Sequence, residues 1–545
     1  MNVRKKQRAN GKISVQICES KRRGDKVSQI IVRHVGQATN EKELEVLENL
    51  AYMIIAEIEE ERKPSLPFFK PEEILERRKR EIEDNVLLKN LKEEQRIIDG
   101  IGDVFGKLYS DLGFDRIIEG SRKNDEWNAI LKTCVLARLA NPVSKLRTAS
   151  LLERDFGIRI PLEKIYRMMD HLAVNEDKVK KHITKTTLSL FKENVDVLLF
   201  DVTTLYFESF QPDDLRKSGF SKDNKINETQ IVLALVTTSY GMPITYKIFP
   251  GNTYEGHTLL DMVGDLKQEF DVNKVTIVAD RAMFTKNNLE QMEDHGFNYA
   301  VAAKLKTMDK AMKTRILESS LKQQENEADN WTSEFDYEGR RLIVSYSSDR
   351  ARKDAKDRQR LIDRLKKKFK GKSLNVKDLI SNSANRRFVS VEGGKAAIDE
   401  SKIAESACWD GLHGIITNDM SENSEALLSR YHSLWQIEDA FRISKHDLRF
   451  RPVYHWVENR IRAHLSICFI SYTLIKQALY RLEFQKKMKM SFDSLRNELL
   501  HAQSSILIEK NSTKRYILPS KVTVIQKKIY SAFGLSRSET PYRIN

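Results

Sequence analysis

The sequence predicts an α/β protein of several domains built round one mixed sheet, with an N-terminal hairpin, an all-α segment ahead of the sheet and a β-rich insertion inside it. Three observations predict this: the length, a change of hydrophobic period near residue 194, and the order of elements that follows. At 545 residues the chain exceeds what one core supports, and roughly two to four domains are expected. A 40% apolar content can fill several cores, while 31% charged residues and a mean hydropathy of −0.51 describe a polar surface and exclude general disorder. The formal charge of +15, from 93 Lys and Arg against 78 Asp and Glu, points to a polyanionic partner, nucleic acid before membrane. Cys18, Cys134, Cys408 and Cys468 are scattered without CxxC or CxxH pairing, which argues against a disulfide framework or zinc module and fits a reducing compartment. The longest apolar-rich stretch, 465–475, is too short to span a bilayer. The expected setting is cytoplasmic and nucleoid-associated, with no membrane partner.

Taken in order, residues 13–18 and 27–33 alternate apolar and polar side chains and predict a hairpin closed through Lys21-Arg22-Arg23-Gly24. From Arg4 to Arg33 ten Lys and Arg face two acids, so a solvated hairpin and a backbone-contacting DNA arm stand as alternatives. A helix over 41–61 completes a basic domain over 1–62, and 63–85 is a Pro-containing, charge-dense connector. Residues 86–193 read as an all-α DNA-binding domain. Within it IIDGIGDVFGKLYSDLGF and ILKTCVLARLA repeat at i, i+3 and i+4, and 144–154, DFGIRIP and 162–172 make a helix pair similar to a helix-turn-helix. Ordinary helix packing is the competing reading.

Past residue 193 the period changes. VDVLLF (195–200) is a continuous apolar strand ending in Asp201; strands at 230–238 and 244–249 follow, then a helix over 257–270, a strand at 275–279 ending in Asp280, a helix over 286–295 and a strand at 299–302. The order β-β-β-α-β-α-β is that of a ribonuclease-H-like sheet. Residues 194–303 are therefore assigned to the first part of such a core, 304–407 to an insertion and 408–480 to the second part. The insertion carries strands at 331–335, 341–346 and 387–391 and a basic helix over 349–369. From Arg352 to Lys372 eleven Lys and Arg face three Asp, either a DNA-facing surface or a solvated helix. A helical segment, 481–545, ends the chain and is a candidate for dimerisation.

Two acids end separate strands, Asp201 in VDVLLFDVTT and Asp280 in KVTIVADRAMF. Neighbouring strands lie about 4.8 Å apart, so carboxylates at the same edge region can share a divalent cation. An ionised Asp beside an apolar strand is costly unless paired or metal-bound; an Asp that only caps a turn is the alternative. A third carboxylate comes from one helical stripe, Tyr431, Leu434, Glu438, Arg442, Lys445 and Arg449, at offsets of 3, 4, 4, 3 and 4. Glu438 among cations suits a metal ligand backed by phosphate contacts; surface ion pairing is the blander account. Thr203 and Thr204 fit strand propensity or a phosphate contact, and Arg281 a DNA contact or plain surface. Trp409 is read as a platform for an unpaired base, a stacking contact of about 1–3 kcal/mol, against core packing. His257, His413, His446 and His464 share no metal-ligand spacing.

Several ordered motifs agree on a family. DVTTLYFES from Asp201, VADRAMF around Asp280, DGLHGIITND from Asp410, Y-x2-L-W-x-I-E-x2-F-R-x2-K from Tyr431, then RPVYHW and IRAHL, resemble the DDE-class insertion-sequence transposases with a Tyr-Arg-Glu-Lys signature over 196–472. Tyr431, Glu438 and Lys445 meet the signature's spacing; Leu434 stands where it has Arg, with Arg442 as substitute. The resemblance implies that Asp201, Asp280 and Glu438 are catalytic and hold two Mg²⁺ ions, with Mn²⁺ as a replacement, for in-line phosphoryl transfer. It also implies that Lys445 positions a phosphate, that Tyr431 contacts the transposon strand end, and that the insertion shapes a DNA hairpin. The implied function is cleavage of double-stranded DNA at terminal inverted repeats and joining of 3′-hydroxyl ends to target DNA by a homodimer in a synaptic complex. A nuclease without strand transfer and a non-catalytic DNA-binding repressor are the alternatives.

Overall fold

The computed structural model describes residues 1–8, 11–23, 26–62, 86–190, 195–208, 211–219, 228–267, 275–280, 285–325, 329–369, 387–392, 395–451, 453–510 and 512–544. The connector expected over 63–85 and Arg281 lie outside them. The chain divides into two compact units: Met1–Asp99 with His501–Val524 and Ser536–Asn545, and Gly100–Leu500 with Ile525–Leu535.

In the first unit β1 (Asn2–Gln7), β2 (Ile13–Arg23) and β3 (Lys26–Ala38) form an antiparallel meander. The expected hairpin is present, extended and flanked by a strand the alternation did not reveal. Helix Glu41–Arg62 lies over it and shares a small core with Val15, Ile17, Ala51 and Ile55. Its start is a reciprocal cap, since Asn40 Oδ1 accepts from Glu43 N at 2.9 Å and Glu43 Oε2 accepts from Thr39 N at 2.8 Å. The same unit holds β4 (Leu91–Ile98), where helix was expected from residue 94. That strand pairs with β15 (Gln503–Glu509), which pairs with β16 (Arg515–Pro519), itself paired with β17 (Tyr542–Ile544). The C-terminal segment read as helical therefore carries three strands; its helices among the described residues are the end of Glu458–Lys486, Phe492–Leu500 and Val524–Ala532.

The second unit begins with five helices, Gly100–Asp111, Asn124–Ala140, Lys145–Phe156, Leu162–Val174 and Glu176–Leu190. The expected helix pair is the third and fourth. Ser144 caps the third, and Gly157, at φ 67°, ends it in the left-handed conformation with Ile158 N bonded back to Leu152 O at 2.9 Å. Helix Leu162–Val174 buries Ile165, Met168, Met169 and Leu172 and packs on the long helix Glu458–Lys486. That 29-residue helix is apolar round most of its girth and is an internal core helix. No helix among the described residues is long and apolar enough to cross a membrane.

The sheet of this unit has eight strands. Its centre is β5 (Val197–Tyr206), β6 (Gln230–Thr238), β7 (Pro243–Pro250), β8 (Thr276–Ala279) and β9 (Asn298–Ala302), in the order β9-β8-β5-β6-β7. Strands β5, β8 and β9 are parallel, while β6 pairs antiparallel with β5 and β7 antiparallel with β6. Helices Glu255–Lys267 and Lys286–Asp294 fill the crossovers, so the element order matches the expected one. Strands β10 (Asn330–Tyr337) and β11 (Arg340–Ser347), expected within an insertion, extend the same sheet through β14 (Leu412–Thr417), which pairs with β9. What stands off it is the basic helix Ser348–Phe369, the hairpin of β12 (Val389–Glu392) and β13 (Lys395–Ile398), and helix Glu400–Ala407. Ile362, Leu365, Phe388 and Val389 give these a core of their own.

Candidate metal and nucleic-acid site

The two faces of the sheet are distinguished by alternation. Leu198, Phe200 and Val202 of β5, Val232, Ala234 and Val236 of β6, and Ile277 and Ala279 of β8 belong to one core with the crossover helices. The alternate residues, Asp201 among them, lie on the other face. On that face Leu233 and Leu235 of β6 line the same small gap as Phe441, Leu465 and Phe469, so the helices Trp435–Arg442 and Glu458–Lys486 cover it. Strand β5 is registered against β8 with Leu199 opposite Val278 and Phe200 opposite Ala279. The residues that follow this last pair are Asp201, within β5, and Asp280, directly after the end of β8. Asp201 Oδ1 accepts from Val202 N at 2.7 Å.

Glu438 sits on the short helix Trp435–Arg442, which packs on β5 and β6. Ile437, Ala440 and Phe441 are buried towards the sheet while Glu438 is exposed. Surface ion pairing does not engage it, for among the described residues the carboxylate partner of Arg442 is Asp439, at 2.7 Å, with Asp447 at 3.5 Å. Asp439 beside its guanidinium raises the Arg442 pKa. Arg442 is thus ion-paired locally, with its side chain 55% exposed.

The single stripe expected from Tyr431 to Arg449 does not form. Helix Ser424–His432 stops at Ser433, whose hydroxyl donates to Arg430 O at 2.6 Å and competes with the backbone ladder. The next helix begins at Trp435, and residues Ile443–Asp447, Lys445 among them, form a π-helical turn before Arg449 leaves at φ 46°. Leu434 is buried at the break. Tyr431 therefore belongs to a helix packed on β8 and β9, with its ring 4.9 Å from that of His413. Asn423 starts this helix by accepting from Glu425 N at 2.6 Å and Ala426 N at 3.4 Å. Asn423→Ala is expected to lower stability by about 1 kcal/mol, read from the midpoint of urea unfolding at unchanged slope.

Tyr431 and Asp280 line one cavity of about 910 Å³. Lys304, Lys306, Arg350 and Arg387 also line it, and only the basic helix among these was flagged by charge. Nothing local marks Lys304 or Lys306, which follow β9 and reach the cavity through strand order. Burial, then Arg387, pushes the Lys306 pKa down. Three further acids line the cavity and are engaged: Asp410 pairs with Arg358, Asp357 with Arg360, and Asp354 Oδ2 accepts from Gly411 N at 3.1 Å and lies 3.9 Å from Arg350 Nε. Trp409 is 7% exposed, packs in the sheet core and also lines the cavity. Thr203 and Thr204 are buried in β5.

As donors, Asp201, Asp280 and Glu438 are hard oxygens of the kind Mg²⁺ prefers. Among the described residues no group of three or more His, Cys, Asp or Glu is drawn together tightly enough to hold an ion. The chemistry of the set fits such an ion, and Glu438 is exposed on the helix that packs on β5 and β6.

A family model described as Transposase DDE domain matches residues 195–474, a stretch that contains Asp201, Asp280, Tyr431, Glu438 and Lys445. The match covers more than half of the chain, and the chain belongs to this family of DDE transposases. No curated protein sequence matches it. Among solved structures it is similar to a piggyBac transposase synaptic complex with hairpin DNA, at 10% identity over 74% of this chain and 77% of that one, with a TM-score of 0.36. It is also similar to a pre-cleavage Mos1 transpososome, at 10% identity over 31% and 58%, with a TM-score of 0.15. Scores this low define no shared architecture.

Proposed function

We propose that this transposase binds the terminal inverted repeats of its element, cleaves the DNA there and joins the 3′-hydroxyl ends to target DNA, using a ribonuclease-H-like core. The observation that supports the reading is that Asp201 and Asp280 each follow the registered pair Phe200–Ala279 of two parallel strands, with Asp280 lining a cavity that five Lys and Arg side chains share with four Asp, itself included. Asp201, Asp280 and Glu438 are the residues that would hold metal. A pair of Mg²⁺ ions, or Mn²⁺, supplies there an activated water or 3′-hydroxyl and stabilisation of the leaving oxygen. The chain's own part is positioning: Lys304, Lys306, Arg350 and Arg387 take the phosphates of a strand lying in the cavity, Tyr431 packs against its end, and Lys445, on the turn after Glu438, steadies the neighbouring phosphate. Synapsis of two ends calls for at least two copies.

The test is incubation of the purified chain with Mg²⁺, DNA ending in the repeats that flank its coding region, and a target plasmid. Joined products are expected. Cleavage without joining would make it a nuclease, and salt-sensitive binding with neither reaction would make it a repressor.

A further inference from the structure

The second unit holds another cavity, of about 340 Å³, that shares no lining residue with the one at Asp280. Arg138, Lys145, His455 and His464 form its interior, each less than a tenth exposed. Arg147 and Arg449 stand exposed at its mouth with Tyr454. Among the described residues no carboxylate lines it.

Part of this polarity is spoken for. Arg138 donates from Nη1 to Leu448 O at 2.7 Å and from Nη2 to Val143 O at 3.2 Å, tying two loops together, and His464 Nε2 lies 3.4 Å from Phe450 O. The rest is not: Arg138 Nε and His464 Nδ1 are buried without a hydrogen-bond partner. Lys145, 3% exposed, has Arg138, the imidazoles of His455 and His464 and the thiols of Cys134 and Cys468 as charged or titratable neighbours. Burial, with Arg138 next, pushes the Lys145 pKa down to about 8, and burial, Lys145 and Arg138 push His455 down to about 3. Buried cations without a counter-charge are costly, and helix Lys145–Phe156 begins at the cavity wall, adding the positive end of its dipole. All of these terms reverse when an anion enters.

We propose that this cavity is a phosphate-binding site, with Lys145 at its base and Arg147 and Arg449 at its entrance, and that a DNA phosphodiester is its occupant. The phosphate chemistry stands on the cavity alone; the DNA source rests on the transposase reading above.

Two measurements on the full chain separate these. In the first, inorganic phosphate is titrated at constant ionic strength while the melting temperature is followed. Phosphate is expected to raise it, Lys145→Met to remove the response, and the exposed Arg147→Gln to weaken it severalfold. Lys145→Met exchanges an unpaired buried charge for a side chain of similar length, so without phosphate it is expected to melt no lower than the parent. In the second, duplexes carrying one neutral methylphosphonate at successive positions are compared. One linkage is expected to lose roughly tenfold in affinity for the parent chain and nothing for Lys145→Met. A phosphate response lost in Lys145→Met with no such linkage would support the site and assign it to free phosphate. Phosphate and DNA binding unchanged in both variants would overturn the proposal. A Lys145-dependent phosphate response in a chain that never cleaves DNA would leave the site standing and remove only the transposase chemistry.

Discussion

Asp201→Asn and Asp280→Asn are each expected to reduce Mg²⁺-dependent DNA cleavage by at least roughly 10²–10³-fold, the loss that follows removal of one group stabilising developing charge, with DNA affinity changed little. Asn keeps the shape, and at position 201 its oxygen can still accept from Val202 N, as Asp201 Oδ1 does, so folding is preserved. Glu438→Gln is expected to behave alike, and pairs of these substitutions to be little worse than one, because groups acting as a unit are not additive. A thermal readout separates a metal role from a structural one. Two carboxylates one step beyond the Phe200–Ala279 pair repel each other until a cation lies between them. Mg²⁺ should therefore raise the melting temperature of the parent chain and not that of the Asn variants, which without Mg²⁺ should melt no lower than the parent. Single-turnover cleavage that persists in any one variant would strike that residue from the site.

How far this site was legible in the sequence follows from which signals are local. VDVLLFD and VTIVAD announce buried strands with a terminal acid because both features lie within a few residues, and parallel pairing then brings the acids together. Glu438 was legible through equally local signals, its spacing from Tyr431 and the aromatics Tyr431, Trp435 and Phe441 around it. The break at Ser433 was not, since Leu434 continues the apolar spacing across it and the interruption comes from a side-chain hydroxyl capturing a carbonyl. Strand β4, LKEEQRII, is charged along one face and takes its conformation from β15, some four hundred residues away, a partner no local window contains. The extension of the sheet through β11 and β14 is hidden likewise, because β11 pairs with a strand that comes only after the basic helix. The cavity at Lys145 is the extreme case: its lining is drawn from residues 138–147 and 449–464, and neither stretch alone looks like a site.

The second large effect is expected where β11 is joined to the parallel strands, at Arg340. Its guanidinium, 10% exposed, donates from Nε to Glu293 Oε1 at 2.7 Å and from Nη2 to Oε2 at 2.9 Å, a bidentate pair, and Tyr299 donates its hydroxyl to Oε1 at 2.6 Å. Glu293 lies on the helix after β8, Tyr299 on β9 and Arg340 on β11, so one carboxylate ties the crossover helix to two strands. Removing one partner leaves a charge without its counter-ion, which costs about 3–5 kcal/mol in a buried pair. Glu293 is 30% exposed, and solvent screening places Arg340→Met nearer about 2–3 kcal/mol. The hydrogen bond from Arg340, and then that from Tyr299, hold the Glu293 carboxyl below the usual carboxylate range. A carboxyl whose pKa is lower folded than unfolded contributes its full stability above the unfolded value, about 4.3, and loses it as pH falls through the folded value. Urea unfolding should accordingly show the Arg340→Met deficit in full at neutral pH and shrinking on acidification below about pH 4.5. Glu293→Gln, which keeps the acceptor and drops the charge, should lose the acid-sensitive part of the stability and leave Arg340 its hydrogen bond. A deficit of equal size at pH 7 and below the folded pKa would mean that β11 is held by its packing against β14 and not by this carboxylate.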